Sequence, residues 1–347
     1  MTPPQDRAAA RLAWARQALG NDRLDLAVAS VDASARSYWR AQDGGHSWIV
    51  MDSPPALDDP QPWLAIDNRL AAAGLHVPGV YAHDLQQGFL LIEDLGTGTY
   101  LDLLDEASAD GLYGPALDAL LRMQTAVEAA DLPPYDRAFL TTELELMPEW
   151  FLRRHLDRTP SCEDWDILED AFTTLLHAAL EQPRCFVHRD YHSRNLLAVE
   201  PKTGRAADTP WWNPGIIDFQ GALHGPITYD LVSLLRDCYI AWDDERVEAW
   251  AEDYRRRLLD TAWRAAIPER TRFLRWFDLM GLQRHIKILG IFCRLYYRDG
   301  KPGYLGDLPR VYRYVDTIAG RYPELQAFAD LLRRYVGGHD LRAVRSR

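Results

Sequence analysis

The sequence predicts an α+β chain in two lobes, a small β-rich one followed by a larger helical one. Three observations carry that expectation. The length of 347 residues suits two domains at roughly 100–200 residues each. The chain is 47% hydrophobic and 11% aromatic, which supplies real cores and argues against disorder. The apolar period also changes along the chain. It alternates every second residue through much of 24–93 and runs at helical spacing over most of the remaining sequence.

The elements are expected in this order. Residues 7–20 are Ala-rich with apolar positions at helical spacing and end at Gly20, so a helix is expected. A strand is expected over 24–29, a turn at 32–35, and a second strand over 36–40. Asp43-Gly44-Gly45 is a hairpin signal, and 47–52 reads as the third strand, broken by Ser53-Pro54-Pro55. Residues 60–73 read as a helix stopped by Gly74. Strands are expected at 77–81 and 88–93, with a linker from Glu93 to Gly98. Domain 1 is thus 1–95, an antiparallel sheet, with a hinge near 93–97. Helices are expected over 99–106, 112–130, 143–157 and 163–181. A polar block then interrupts them, with strands at 196–199 and 215–219 around a Gly/Pro/Thr-rich insertion running from Pro201 to Pro214. Helices resume from 228 to 335. Domain 2 is 96–335, and 336–347 reads as a poorly ordered tail.

Composition narrows the function. The formal charge of -12 argues against a generic nucleic-acid or anionic-membrane binder, since both need clustered cations. There is no apolar run of about 18 residues and no apolar signal core near the start. Cys162, Cys185, Cys238 and Cys293 are widely spaced and read as reduced thiols of a cytoplasmic protein. Lysine occurs only at 202, 287 and 301, so cationic chemistry in the first 201 residues falls to arginine.

The chemistry concentrates in His188-Arg189-Asp190-Tyr191-His192-Ser193-Arg194-Asn195, the H-R-D-x-x-x-x-N pattern of kinase catalytic loops. Downstream, the apolar run Ile216-Ile217 ends in Asp218-Phe219-Gln220. Phosphoryl transfer needs a carboxylate to orient the attacking hydroxyl and accept its proton. It also needs oxygen ligands for the Mg²⁺ that neutralises the phosphates. Asp190 supplies the first, and Asn195 with Asp218 supply the second. Paired strands around the insertion bring Asn195 and Asp218 side by side. A rival reading takes His188 and His192 as zinc ligands with Asp190 or Asp218. It wants a helix and a Glu after the first histidine, where the chain has strands and Arg189.

These motifs, with Gly225-Pro226-Ile227-Thr228-Tyr229-Asp230-Leu231, resemble the aminoglycoside-phosphotransferase/choline-kinase-like branch of the protein-kinase-like bilobal fold. Further stretches are most similar to bacterial kinases that phosphorylate N-acetylmuramate and N-acetylglucosamine at the anomeric hydroxyl in cell-wall (peptidoglycan) recycling. They are 48–55, 88–96, 229–239 and 278–290, and the likeness covers most of 25–330. The resemblance implies ATP and Mg²⁺ as cofactors and an amino sugar as the acceptor. Relatives often carry an acidic residue after Asp-Phe-Gln. This chain has Gly221 there, which speaks against a second acidic metal ligand or sugar contact at that place but leaves Asp218 untouched.

On the nucleotide side, Met51 occupies the strand where a kinase lysine is expected, and the 32–34 turn lacks a glycine-rich loop. Arg36 and Arg40 are the substitute phosphate ligands, with Ser34 and nearby N–H groups as the cradle. The alternative is that both arginines lie on solvated strand faces. Glu93 to Leu95 would offer backbone groups to adenine, or else form an ordinary linker. On the acceptor side, Arg194, Arg284, His285 and Lys287 are candidates for a sugar and its carboxylate. Gln283, Arg284, His285 and Lys287 interrupt an apolar helix, where they either line a cleft or form a solvated face. Trp211 and Trp212 could stack on a sugar or cover an apolar patch. Other acceptors stay open, namely an aminoglycoside, choline or homoserine, as does an ATP-binding pseudokinase.

Overall fold

The computed structural model describes residues 4–31, 35–199 and 214–344. It begins with α1 (Pro4–Leu19), β1 (Leu26–Val31), β2 (Ser37–Asp43), β3 (His46–Asp52), α2 (Gln61–Ala72), β4 (Val80–Asp84) and β5 (Phe89–Glu93). Then come α3 (Tyr100–Leu103), α4 (Ala109–Ala126), α5 (Arg137–Leu144), a π-helical segment Met147–His155, and α6 (Cys162–Leu180). Four short strands are next: β6 (Arg184–Val187), β7 (Leu196–Leu197), β8 (Gly215–Ile216) and β9 (Leu223–Pro226). The rest is helical: α7 (Tyr229–Leu235), α8 (Asp244–Leu258), α9 (Arg270–Tyr297), α10 (Leu308–Arg321) and α11 (Gln326–Val336). Among the described residues no helix is long and apolar enough to cross a membrane.

The chain divides into two compact units, Met1–Ala119 with Arg194–Gln220 and Leu120–Ser193 with Gly221–Arg347. The first is built on a five-stranded antiparallel sheet in the order β1-β2-β3-β5-β4. Ala15, Leu24, Ala41, Val50 and Leu91 form an apolar cluster, with Trp14, Trp39 and Trp48 packed around it. Arg11 of α1 pairs with Asp52 of β3 at 2.7 Å and lies 3.6 Å from the centre of the Trp39 ring. The expected strand at 24–29 begins two residues later because Leu24 is spent on that cluster. The expected strand at 77–81 begins at Val80, since Pro78 has no N–H to give a ladder.

The first unit takes in more than residues 1–95, and hydrogen bonds give the reason. Ile216 N–H donates to His76 O at 2.8 Å, and Ala198 N–H to Gly98 O at 2.9 Å. These bonds fasten the antiparallel β7–β8 pair to the small-sheet unit.

The second unit is organised around α9. Its 28 residues span about 42 Å at 1.5 Å per residue. It is buried without interruption from Trp276 to Gly290, so it has no solvated face there. Gly290 is required by packing: a Cβ there would stand 2.4 Å from the Leu146 carbonyl carbon. That close approach seats the π-helical segment, and Pro148 stands in its first turn. The single helix expected over 143–157 is therefore two elements, α5 and the π-helical segment. The former is capped by the Asp136 side chain, which accepts the Phe139 N–H at 3.0 Å. β9, for which the sequence predicts no element, pairs antiparallel with β6. Beyond α11, Leu341 is buried, and its carbonyl meets His155 Nε2 at 2.9 Å.

Candidate active site

In the second unit, β6 ends at Val187 and leads directly into the polar segment beginning at His188. Two buried carboxylates hold this segment. Asp230 accepts the N–H of His188 at 2.6 Å and that of Arg189 at 3.0 Å. Asp237 accepts the N–H of Ser193 at 2.9 Å and its hydroxyl at 2.5 Å. Asp190 lies between these anchors. Its N–H reaches His188 Nδ1 at 3.3 Å, and its carbonyl accepts the His192 N–H at 3.0 Å. Arg189 has φ +78°, a left-handed backbone that costs a long side chain of order 1–3 kcal/mol. The bonds to Asp230 help hold that backbone in place.

The field at Asp190 favours the carboxylate. Burial pushes its pKa up, but Lys287, His192, Arg189 and Arg284 together outweigh burial and hold it below the usual carboxylate value. Asp230 behaves in the opposite way. Burial pushes it up to about 7 despite its two N–H donors.

Glu143 of α5 escaped the sequence reading. It is 6% exposed and lies 3.0 Å from Arg189 Nη2 and 3.2 Å from Lys287 Nζ, and it accepts the Tyr135 hydroxyl. A glutamate in an ordinary amphipathic helix carries no sequence signal for this. Only the partners, 46 and 144 positions away, reveal it.

Of the acceptor-side candidates in this unit, all three are buried. Lys287 Nζ donates to Tyr229 Oη at 2.8 Å. His285 Nε2 meets the Arg236 carbonyl at 2.9 Å, and its ring stacks on Tyr314. Burial and the neighbouring Arg284 charge lower the His285 pKa to about 3, so it is neutral. Arg284 Nη1 lies 3.9 Å from Cys238 Sγ.

In the first unit, Asn195 and Asp218 come together as expected: Asn195 Nδ2 donates to Asp218 Oδ2 at 3.2 Å. Gln220 Nε2 donates to Oδ1 at 2.7 Å. Asp218 has φ +65°, a second strained backbone in a polar cluster. Phe219 is buried and packs its ring 5.2 Å from that of Trp63 on α2. Among the described residues no three His, Cys, Asp or Glu side chains gather as a metal site. One carboxylate with two side-chain amides instead suits Mg²⁺, which takes oxygen ligands and keeps waters and phosphates for the rest. Gln220 Oε1, buried without a partner, is a spare oxygen in that set.

The other candidates of this unit are placed as well. Arg36 is 6% exposed, with Nη2 2.8 Å from Asp58. Arg40 grips Asp94 through Nε at 2.6 Å and Nη2 at 3.1 Å. Glu93 is buried, with its N–H on Gly79 O at 2.8 Å. Leu95 joins Leu197 and Val199 in an apolar cluster. Met51 is buried in β3. Arg194 is exposed and contributes to lowering the pKa of Asp102, which Thr99 chiefly lowers. Ser34, Trp211 and Trp212 lie outside the described residues.

Comparison with known proteins bears out the resemblance. The profile of the phosphotransferase enzyme family matches residues 25–273. A Pseudomonas aeruginosa protein named N-acetylmuramate/N-acetylglucosamine kinase is 47% identical over 311 residues, covering 89% of this chain and 88% of its own. A Pseudomonas putida protein of the same name is 44% identical over 329 residues, covering 94% and 91%. Among solved structures, an ethanolamine kinase from Plasmodium vivax aligns with TM-score 0.60 at 12% identity, over 92% of this chain and 89% of its own. An ADP-bound aminoglycoside phosphotransferase aligns with TM-score 0.57 at 13% identity, over 88% and 97%. At such identities these structures speak for the fold alone, and they bear out the kinase-like fold expected from the sequence.

Proposed function

Because the chain belongs to the phosphotransferase enzyme family, we propose that it is an amino-sugar kinase. It transfers the γ-phosphoryl group of ATP to the anomeric hydroxyl of N-acetylmuramate or N-acetylglucosamine. The names of the relatives at 44% and 47% identity support the acceptor class. The observation that carries the chemistry is Asp190, kept ionised by surrounding cations on a loop that Asp230 and Asp237 fix in place.

In this reading Asp190 orients the sugar hydroxyl and accepts its proton as the phosphoryl group leaves ATP. An anomeric hydroxyl is more acidic than an ordinary alcohol, so a low-pKa carboxylate that mainly orients it is sufficient. Asn195 and Asp218, with Gln220 beside them, would hold Mg²⁺, which supplies charge neutralisation to the phosphates when bound. The backbone from Glu93 to Leu95 receives adenine. Arg36 or Arg40, with Ser34, takes the phosphates in place of lysine, each arginine sharing its guanidinium with the carboxylate it already holds. The acceptor side falls to Arg194 and Arg284, since His285 and Lys287 are taken up by interior partners. A cytoplasmic place in cell-wall recycling belongs to the same reading.

The test is ADP release with N-acetylglucosamine and N-acetylmuramate, together with an aminoglycoside, choline and homoserine. Turnover is expected with the N-acetylated sugars. Asp190→Asn should lower kcat by about 10²–10⁴-fold with the unfolding midpoint little changed. Turnover that survives in that variant removes Asp190 from its role, and preference for one of the other acceptors replaces the substrate.

A further inference from the structure

The polar side chains inside α9 are not equivalent. Gln283 Nε2 donates to the Leu140 carbonyl at 3.0 Å. His285 is neutral, bonded to the Arg236 carbonyl and stacked on Tyr314 with ring centres 4.6 Å apart. Lys287 has Glu143 as counter-charge and Tyr229 as acceptor. Each has an interior partner; Gln283 Oε1 and His285 Nδ1 are buried without one of their own, but neither side chain carries a charge.

Arg284 has none of this. It is 2% exposed, and no carboxylate lies within 4.0 Å of it among the described residues. Its buried Nε has no hydrogen-bond partner, and its one polar contact is the weak acceptor Cys238 Sγ at 3.9 Å. Lysine could relieve such burial by giving up its proton, but a guanidinium cannot. Asp190 and Asp237 act on it only through space, and a buried charge without a directly bonded counter-charge is expensive, kept mainly where something else pairs with it.

The position of Arg284 says what that something is near. Its neighbour Cys238 comes directly after Asp237, the carboxylate that fixes Ser193. The charges of Asp190 and Arg284 are close enough to act on one another. The guanidinium, with Nε unpartnered and no carboxylate in contact, thus stands in the same unit as the hydroxyl-orienting carboxylate and within its electrostatic reach.

We infer that Arg284 is a specificity residue for an anionic acceptor: its guanidinium pairs with a carboxylate carried on the sugar, as in the lactyl group of N-acetylmuramate. Arg284 is thereby separated from Lys287 and His285, which serve the interior and not the ligand. The assignment rests on the amino-sugar reading above. A planar guanidinium meets a carboxylate with two parallel N–H···O bonds, which gives orientation as well as affinity.

The measurement is the ratio of kcat/KM for N-acetylmuramate to that for N-acetylglucosamine, which lacks the carboxylate. In Arg284→Met the ratio should fall by about 10- to 100-fold, mostly through KM for N-acetylmuramate, as expected for loss of a charge-assisted pair. Arg284→Lys should recover part of it. Because the variant removes a buried side chain, a second arm leaves the protein intact: the wild-type enzyme should show a similar KM increase for the methyl ester of N-acetylmuramate. An unchanged ratio in Arg284→Met, or an ester that performs like the acid, overturns the assignment while the kinase reading stands. Wild-type protein that phosphorylates neither sugar overturns both.

Discussion

Glu143 offers the sharpest check on how the loop around Asp190 is held. Its carboxylate is buried and serves two cations, Arg189 at 3.0 Å and Lys287 at 3.2 Å. At an effective dielectric of 20 each pair is worth about 5 kcal/mol of raw attraction, most of it offset by the cost of burying the charges. Replacing Glu143 with Gln keeps the shape and removes the charge, and leaves Lys287 without its contacting counter-charge, with only the Asp190 carboxylate acting on it through space. Loss of one partner of a buried pair costs about 3–5 kcal/mol. Urea unfolding of Glu143→Gln should therefore show a stability loss of that size, read as a lower midpoint with an unchanged slope. Adding Lys287→Met should return part of the loss, because the orphaned ammonium is then gone, with a coupling of about 1–3 kcal/mol in the double-mutant cycle. A loss below about 1 kcal/mol, or strict additivity, would falsify the shared counter-charge and with it this account of why Lys287 is buried.

Two further outcomes are expected from the same geometry. Asp67 on α2 is 3% exposed with Oδ1 unpartnered, and burial pushes its pKa from 3.8 up to about 7. Its folded value lies above its unfolded one, so its contribution is fully present below about pH 4 and is lost as pH rises through about 7. The wild type should lose roughly 3–5 kcal/mol of stability relative to Asp67→Asn between about pH 4 and pH 8. Parallel stability profiles for the two proteins would show that the group is not buried as described. Gly290→Ala places a methyl group against the Leu146 backbone at 2.4 Å. It should cost about 1–3 kcal/mol by thermal or urea unfolding, and wild-type stability in that variant would mean that α9 and the π-helical segment do not pack this closely.

The fold was legible where the apolar period was long and clean. The meander of β2 and β3, the strand at 89–93 and the helices at 4–19, 61–72 and 162–180 lie within a few residues of the sequence reading. It failed where tertiary packing chose the conformation. Leu24 left the sheet for a core, the helix around Pro148 split in two, and β9, which no sequence pattern announced, pairs with β6. Asp190, Asn195 and Asp218 could be singled out because phosphoryl transfer would need such groups at recognisable spacings, and the structure brings Asn195 and Asp218 within 3.2 Å. Glu143 and the left-handed backbones of Arg189 and Asp218 were not, since distant pairings and φ angles leave no local pattern. The polar set on α9 was visible, but only burial and partners separate Arg284 from Lys287 and His285.

The account stands most directly on the product. Wild-type protein incubated with Mg²⁺, ATP and N-acetylglucosamine should form one phosphorylated species, and ³¹P NMR should show its phosphorus coupled to the anomeric proton, as in a sugar 1-phosphate. Phosphate found on C6, or ADP formed at the same rate with no sugar present, would contradict the central claim.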